Sequence, residues 1–129
     1  MAAVEAHMSR DLVTVAGDEP LVAAAARMAE RRVGAALVLD GERLAGILTE
    51  RDVLNAVAAG GVERAVVSSW MTHGPETIEP VDTTEHAAVL MIHGGFRHLP
   101  VVDGGRPVGI LSIRDLVRIA LDDSAPRGA

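Results

Sequence analysis

An internal repeat constrains this chain more than any other feature of its sequence. A shift of 63 positions places Met8–Leu54 on Met71–Val117 without a gap, and the strongest block pairs GERLAGILTERDVL from Gly41 with GGRPVGILSIRDLV from Gly104. A fixed period of this kind indicates two copies of one supersecondary unit. A unit of roughly 60 residues is marginally stable alone, because it buries too little of its surface. We therefore expect the two copies to pack together as one folding unit.

The first half of each copy has the pattern of a short strand followed by a helix. Alternating residues at Leu12–Val15 and at Glu76–Ile78 favour strands. The first helix is expected from about Pro20 to Arg32, because apolar residues recur at helical spacing and proline suits a first turn. The second helix is marked by a capping-box pair at its start and by glycines at its end, namely Asp82 and Glu85, then Gly94 and Gly95.

The second half of each copy predicts a hairpin and another helix. In the first copy the hairpin runs from Ala36–Leu39 through a turn at Asp40-Gly41 into Leu44–Leu48, and its twin runs from Leu99–Val102 into Pro107–Leu111. The following helices start at Thr49 and Ser112, and a short helix is expected over Val62–Met71. The unit is thus β-α-β-β-α. We predict an α/β (α+β) fold in which two such repeats, residues 1–61 and 62–129, pack sheet to sheet with pseudo-twofold symmetry.

Composition narrows the classes of partner. With 49% hydrophobic residues the chain can bury a core, and with a net charge of −6 it lacks the basic field that a nucleic acid requires. The absence of cysteine excludes disulfides and thiolate metal sites. The first residues lack the apolar core of a signal peptide, and no apolar run reaches membrane-spanning length. We expect a cytoplasmic protein with neither a nucleic-acid nor a membrane partner.

Motifs of catalysis and metal binding are missing from the sequence. We find no nucleophile elbow, no phosphate-binding Walker loop, no dinucleotide fingerprint and no metalloprotease helix. His86 and His93 are seven residues apart on a predicted helix, which is a poor spacing for a zinc site without cysteine or a carboxylate pattern. We therefore expect no enzyme and no metal site.

The element order, the HLPVVD stretch from His98 and the two junctions GILTERD and GILSIRD resemble a tandem pair of CBS (cystathionine-beta-synthase-type) domains. The resemblance covers about Val4–Leu121, and it is to a stand-alone pair of bacterial type. It implies two clefts that bind adenosine-containing ligands such as AMP, ADP, ATP or S-adenosylmethionine. The ligand would bind reversibly, the protein would need no obligatory cofactor, and its function would be that of a regulatory sensor.

The resemblance also implies which residues face the ligand. The hydroxyl and carboxylate of each junction would do so, with the aspartate on the ribose: Thr49 and Asp52 in one copy, Ser112 and Asp115 in the other. The base would lie between small side chains of the first strand and the hairpin, for which the candidates are Val13, Val15, Ala35 and Ala36 on one side, and Thr77, Ile78, Leu99 and Pro100 on the other. Basic residues before the hairpin approach phosphates in this family, which implicates Arg97 and His98.

The chemistry of the junctions supports these roles independently. An ionised carboxylate accepts two hydrogen bonds from a ribose diol, and a helix start favours a phosphate. Arg51 and Arg114 add forked donors. The structural alternative is that both hydroxyl–carboxylate pairs only cap their helices. Two other functions stay open, a ligand-free interaction protein and a small nucleotide hydrolase.

Two further expectations concern assembly and asymmetry. The helices from Thr49 and from Ser112 carry apolar residues around more of their circumference than one core face needs, which favours a homodimer. The resemblance implies dimerisation through the same helices. Because Arg97 and His98 take the places of Gly34 and Ala35, we expect the cleft with Ser112 and Asp115 to bind nucleotide more tightly.

Overall fold

The computed structural model describes residues 2–124, with side chains described through residue 122. Residue 1 and residues 125–129, the outer ends of the two predicted repeats, lie outside the described residues. The elements, in chain order, are β1 (Thr14–Ala16), α1 (Leu21–Arg31), β2 (Ala35–Asp40), β3 (Arg43–Thr49), α2 (Glu50–Ala59), β4 (Thr72–His73), α3 (Thr84–Gly94), β5 (His98–Asp103), β6 (Arg106–Ser112) and α4 (Ile113–Ser124). None of the helices in this part of the chain is long and apolar enough to cross a membrane.

The two hairpins form the centre of the two repeats. β2 pairs antiparallel with β3, and β5 with β6, and both hairpins carry a bulge at the equivalent step, Val38/Leu39 and Val101/Val102. β1 runs parallel to β2. The strand predicted over Glu76–Ile78 is wrong in extent, because its only ladder contact is a single parallel bridge between Ile78 and Val101. The rest of the predicted β-α-β-β-α order is present.

The helix starts differ in detail from the sequence prediction. Pro20 is the N-cap residue of α1 rather than its first helical residue. The predicted capping pair of Asp82 and Glu85 is wrong by one position, because Thr83 caps α3 by accepting a hydrogen bond from the backbone N–H of His86. The Asp82 carboxylate instead accepts from the N–H of Glu79 in the preceding turn. A hydroxyl with the right backbone geometry therefore takes the cap.

The segment between the repeats is not the single helix predicted over Val62–Met71. It contains two separate 3-10 turns, Val62–Arg64 and Val67–Ser69, with extended backbone at Ala65 and Val66. Besides the local hydrogen bonds within these turns, the segment pairs with the start of α1 and the loop before it, since Leu21 N–H donates to the Ala65 carbonyl and Val67 N–H donates to the Glu19 carbonyl. Tertiary pairing has replaced local helix formation.

Each repeat completes its core with residues from the start of the other repeat. Val67 and Met71, at the start of the second repeat, pack into the core of the first repeat beneath α1. Val4 and Met8, at the start of the first repeat, pack into the core of the second repeat beneath α3. Val4 and Val67 are equivalent under the 63-residue shift and are both fully buried. The two repeats are thus interlocked.

A third cluster joins the two sheets. Ala35, Leu37 and Ile47 point away from α1, and Ile110 from β6 packs against them. Alternating residues of a strand point to opposite faces, so the first sheet buries one face under its helices and the other against the second repeat. The space left beside this contact forms the clefts described below.

Two equivalent glycines mark where the exchanged segments cross the hairpins. A Cβ at Gly46 would lie 2.7 Å from the Met71 sulfur and 2.7 Å from the Thr72 carbonyl oxygen. A Cβ at Gly109 would overlap the Met8 sulfur and approach the Ser9 carbonyl oxygen. Glycine is therefore required at both crossings by close approach of a neighbouring chain segment rather than by its dihedral angles.

We predict that Gly46→Ala and Gly109→Ala each lower the free energy of unfolding by about 1–3 kcal/mol, the usual cost of overpacking. Urea unfolding followed by circular dichroism measures this. Gly34→Ala is the comparator, because its added Cβ would meet only the tips of two side chains, those of His98 and Glu50. Equal midpoints for Gly46→Ala and the unaltered protein would show that the crossing is not tightly packed.

Candidate functional site

Two clefts open on either side of the contact between the repeats. The first, here the Ser112 cleft, is lined by Ser112 and Asp115 at the start of α4 and has a volume of about 570 Å³. The second, the Thr49 cleft, is lined by Thr49 and Asp52 at the start of α2 and has a volume of about 740 Å³. Both volumes lie within the range typical of small-molecule sites, about 300–1,000 Å³.

Each cleft takes residues from both repeats. Ser112, Arg114 and Asp115 of the second repeat face Val13 and Ala35 of the first repeat across the Ser112 cleft. In the other cleft, Thr49, Arg51 and Asp52 of the first repeat face the loop before β5 of the second repeat, including Phe96. Arg97 and His98 line both clefts. A ligand in either cleft would therefore touch both repeats.

The hydroxyl–carboxylate pairs cap their helices. One carboxylate oxygen of Asp115, Oδ2, accepts from the backbone N–H and the hydroxyl of Ser112, at 2.8 and 3.0 Å, and the Asp115 N–H donates to the Ser112 hydroxyl at 3.2 Å. Asp52 and Thr49 form the same reciprocal box. Both caps use only Oδ2. The Oδ1 atoms remain as acceptors, so capping and ligand contact are compatible.

The linings of the two clefts differ in charge. The described lining of the Ser112 cleft contains four arginines against three carboxylates, namely Arg32, Arg97, Arg114 and Arg118 against Asp11, Glu50 and Asp115. The described lining of the Thr49 cleft contains two arginines against three carboxylates, namely Arg51 and Arg97 against Glu50, Asp52 and Glu76. The Ser112 cleft is therefore the better host for an anion.

Ion pairs occupy some of the charged side chains of the Ser112 cleft and leave others unpaired. Asp11 pairs with Arg31 outside the lining, and Arg118 lies 3.7 Å from Asp115. Within the part of the chain whose side chains are described, Arg97 and Arg114 have no carboxylate partner in an ion pair. Their guanidinium groups are available to a ligand.

His98 lies in the wall between the clefts. Its imidazole is beside Gly34, since a Cβ on that glycine would lie 3.2 Å from Nε2. Burial lowers the pKa of His98 below its ordinary value; the carboxylates of Glu50 and Asp115 oppose this shift, and the guanidinium groups of Arg97 and Arg114 reinforce it. The imidazole is thus neutral at pH 7, and it contributes hydrogen bonding rather than charge.

Six residues expected at the clefts line neither of them: Val15, Ala36, Thr77, Ile78, Leu99 and Pro100. Four of the six are buried in the cores beneath the helices, Pro100 is fully buried, and Thr77 is exposed elsewhere. Adjacent strand residues point to opposite faces, so Ala35 reaches a cleft while Ala36 enters the core.

Several cleft residues were not anticipated from the sequence, above all Arg32, Glu50, Phe96 and Arg118. Glu50 is the first residue of α2, and Arg118 lies one turn after Asp115, so helical spacing from the two junctions would have indicated both. Arg32 ends α1, and only the pairing of one repeat with the other brings it to the Ser112 cleft.

Comparison with known proteins agrees with this architecture. The family model of the CBS domain matches twice, over residues 3–59 and residues 67–122. The chain belongs to the CBS-domain family. The two matches correspond to the two repeats, and the mixed α/β fold, with four α-helices among residues 2–124, is that of a CBS-domain pair.

Relatives include proteins of similar and greater length. The CBS domain-containing protein YhcV of Bacillus subtilis is 33% identical over 117 residues, which span 90% of this chain and 84% of that protein. An uncharacterised 17.7 kDa protein of Acidianus ambivalens is 37% identical over 101 residues, 77% of this chain and 61% of that protein. The chain thus spans about three fifths of the length of this relative, and 16–19% of several CBS domain-containing proteins of Arabidopsis thaliana.

One of the similar solved structures contains a bound ligand. The CBS domain protein PAE2072 from Pyrobaculum aerophilum, complexed with AMP, superposes with a TM-score of 0.83 at 26% identity. The match covers 95% of this chain and all of that chain.

We predict that acidification destabilises this CBS pair partly through His98. The unfolded imidazole titrates near pH 6.5, and burial lowers the pKa of the folded one. Between these values the unfolded chain binds more protons, so the stabilisation is complete above pH ~6.5 and is lost as the pH falls through the folded pKa.

Urea unfolding between pH 8 and pH 5 measures this effect. The loss of stability on acidification should be smaller in His98→Ala, which carries the residue of the equivalent position, Ala35. His93→Ala, which removes an exposed histidine, is the control. Parallel pH profiles for His98→Ala and the unaltered protein would contradict the prediction.

Proposed function

We propose that this CBS pair is a regulatory module that binds an adenine nucleotide reversibly, with the tighter site in the Ser112 cleft, and does not transform it. AMP, ADP, ATP and S-adenosylmethionine share the adenosine group that the clefts would recognise. The nucleotide is a ligand and not an obligatory cofactor.

The observation that carries the proposal is the arrangement around Asp115. The cap fixes this carboxylate at the cleft surface through Oδ2, and its side chain is 19% exposed. The other oxygen, Oδ1, lies 3.7 Å from the Arg118 guanidinium, which is too far for a hydrogen bond. It can therefore accept hydrogen bonds from ribose hydroxyls. Val13 and Ala35 supply small apolar groups opposite, as a flat purine base requires. One cleft thus combines a diol acceptor, an apolar slot and free guanidinium groups.

The AMP complex of the Pyrobaculum protein supports the ligand class, since that protein matches nearly the whole of this chain. The Thr49 cleft has the same cap and carboxylate but a more acidic lining. We therefore assign weaker nucleotide binding to the Thr49 cleft. Absence of catalysis is part of the proposal because the Ser112 and Thr49 hydroxyls are both held in helix caps, where each donates to its cap carboxylate.

Regulation would follow from the shared walls. A nucleotide that contacts both repeats binds one relative placement of the repeats better than another, and this difference in affinity is what shifts a conformational equilibrium. Couplings of this kind typically amount to about 1–3 kcal/mol. A regulated partner protein would detect that change.

A homodimer is the second part of the proposal. Leu54 and Val57 of α2, and Val117 of α4, are more than half exposed, whereas Val53 and Leu116 of the same helices pack onto the cores. Exposed apolar stripes on helices that already bury one face are typical of protein interfaces. We propose that α2 and α4 form the contact between two copies in the cytoplasm.

We predict that Asp115→Ala weakens the tighter AMP binding event at least tenfold, a loss of about 1.4 kcal/mol, and that Asp52→Ala leaves it nearly unchanged. The two variants are matched, because each removes the same helix cap. Isothermal titration calorimetry with AMP and ATP measures both. Loss of the tighter event in Asp52→Ala alone would reverse the assignment of the clefts.

The same samples test the alternative functions. No binding of any adenosine compound would favour a ligand-free interaction protein, and formation of product from ATP would favour a hydrolase. We expect binding without product.

For the assembly we predict a mass twice that of the 13.5 kDa chain by light scattering at micromolar concentration. Leu54→Glu and Val117→Glu should shift the protein towards the monomer, because each buries a charge in the proposed contact. Val81→Glu, which alters an exposed apolar residue outside both helices, should leave the mass unchanged. A monomeric mass for the unaltered protein would overturn the proposal.

A further inference from the structure

Arg32 has an unusual backbone conformation. It caps the end of α1 with φ 56° and ψ 42°, in the left-handed region, and its N–H donates to the carbonyls of Met28 and Ala29. Among residues 2–124 it is the one non-glycine residue with a positive φ. Side chains are disfavoured in this conformation by contact between Cβ and the backbone, and such residues concentrate at functional sites.

The second repeat shows what this position normally requires. The equivalent residue is Gly95, which caps α3 with φ 71° and ψ 26°. Gly95 lines the Thr49 cleft as Arg32 lines the Ser112 cleft. A glycine is the usual residue at such a helix end. The first repeat therefore carries an arginine where the shared fold favours glycine, and it does so at the mouth of one cleft only.

Arg32 differs from its neighbours on α1 in its ion pairs. The nearby arginines of α1 are paired, Arg27 with Glu19 at 2.6 Å and Arg31 with Asp11. Among the described side chains no carboxylate forms an ion pair with Arg32. Arg32 thus brings to the lining of the Ser112 cleft a charge that no described carboxylate compensates.

The helix start on the other side of the Ser112 cleft adds a second cation. Arg114, in the first turn of α4, lines this cleft and has no carboxylate partner among the described side chains. Glu50, the first residue of α2, lines both clefts and does not distinguish them. Because a negative group is favoured near a helix N-terminus, the Ser112 cleft offers an anion two such arginines, Arg32 and Arg114, one from each repeat.

We propose that Arg32 is a specificity-determining residue that contacts the 5′-phosphate of an adenosine ligand in the Ser112 cleft. The Thr49 cleft, with Gly95 in its place and fewer arginines in its lining, binds nucleotides more weakly and favours adenosine derivatives that carry no phosphate. This inference rests on the proposed binding of adenosine ligands, and it concerns what distinguishes the clefts.

The test compares AMP with adenosine by isothermal titration calorimetry. In Arg32→Gln the affinity of the Ser112 cleft for AMP should fall about tenfold, while the affinity for adenosine changes less than twofold. Arg64→Gln is the matched control, because it removes the same charge from an exposed arginine outside both clefts. An equal loss for both ligands, or no loss for either, would overturn the assignment of Arg32.

Gly95→Arg provides the reciprocal test. A Cβ at Gly95 meets no atom within 4 Å, so the first atom of the new side chain has space, and the left-handed backbone is one that Arg32 already adopts in the first repeat. This variant should raise the affinity of the Thr49 cleft for AMP about tenfold and leave its affinity for adenosine unchanged. If the unaltered protein binds neither AMP nor adenosine, the proposed function itself fails. If it binds both and Gly95→Arg discriminates between neither, only the role of this position fails.

Discussion

The exchange of segments between the repeats is the constraint on which the rest of the structure depends. Met8 lies against Gly109 and Met71 against Gly46, so each hairpin is crossed by the segment that leads into the other repeat. Val4 and Val67 then complete the two cores. Because the core of each repeat contains residues from the start of the other, we expect the two to fold as one unit. Buried contacts fix the relative position of the repeats, and this relative position creates the clefts between them.

The same frame produces two sites of different chemistry. The hairpins, their bulges and the caps of α2 and α4 repeat, so Asp52 and Asp115 hold the same place in their clefts. The charge difference between the clefts comes from side chains on the loops and helix starts that face across the contact. Such positions contribute less to the cores than the strands do. The pseudo-twofold arrangement of the repeats forms the two clefts, and the side chains of the loops and helix starts set the charge of each cleft.

Much of this structure is predictable from local patterns. The 63-residue shift, the hairpins and the helix starts at Thr49 and Ser112 follow from periodicity and capping signals. The segment before β4 does not, because its hydrogen bonds run to distant backbone and override its own helical pattern. Local patterns also do not tell which of the residues expected to bind the base line a cleft and which lie in a core, since a difference of one residue along a strand moves a side chain from one face to the other. The contacts between residues of one repeat and residues of the other depend on tertiary structure, and local sequence patterns do not predict them.

The interlocking also orders the events of folding. Val4 is among the first described residues to leave the ribosome, yet the hairpin that covers it ends at Ser112, close to the last. Closing a contact over such a sequence separation is slow, and apolar groups stay exposed until it forms. The first repeat, by contrast, gains Val67 and Met71 as soon as they are made. We therefore expect the first repeat to gather the helix-side core of its sheet early in synthesis, while Ala35, Leu37 and Ile47 on the other face stay uncovered until Ile110 has been made.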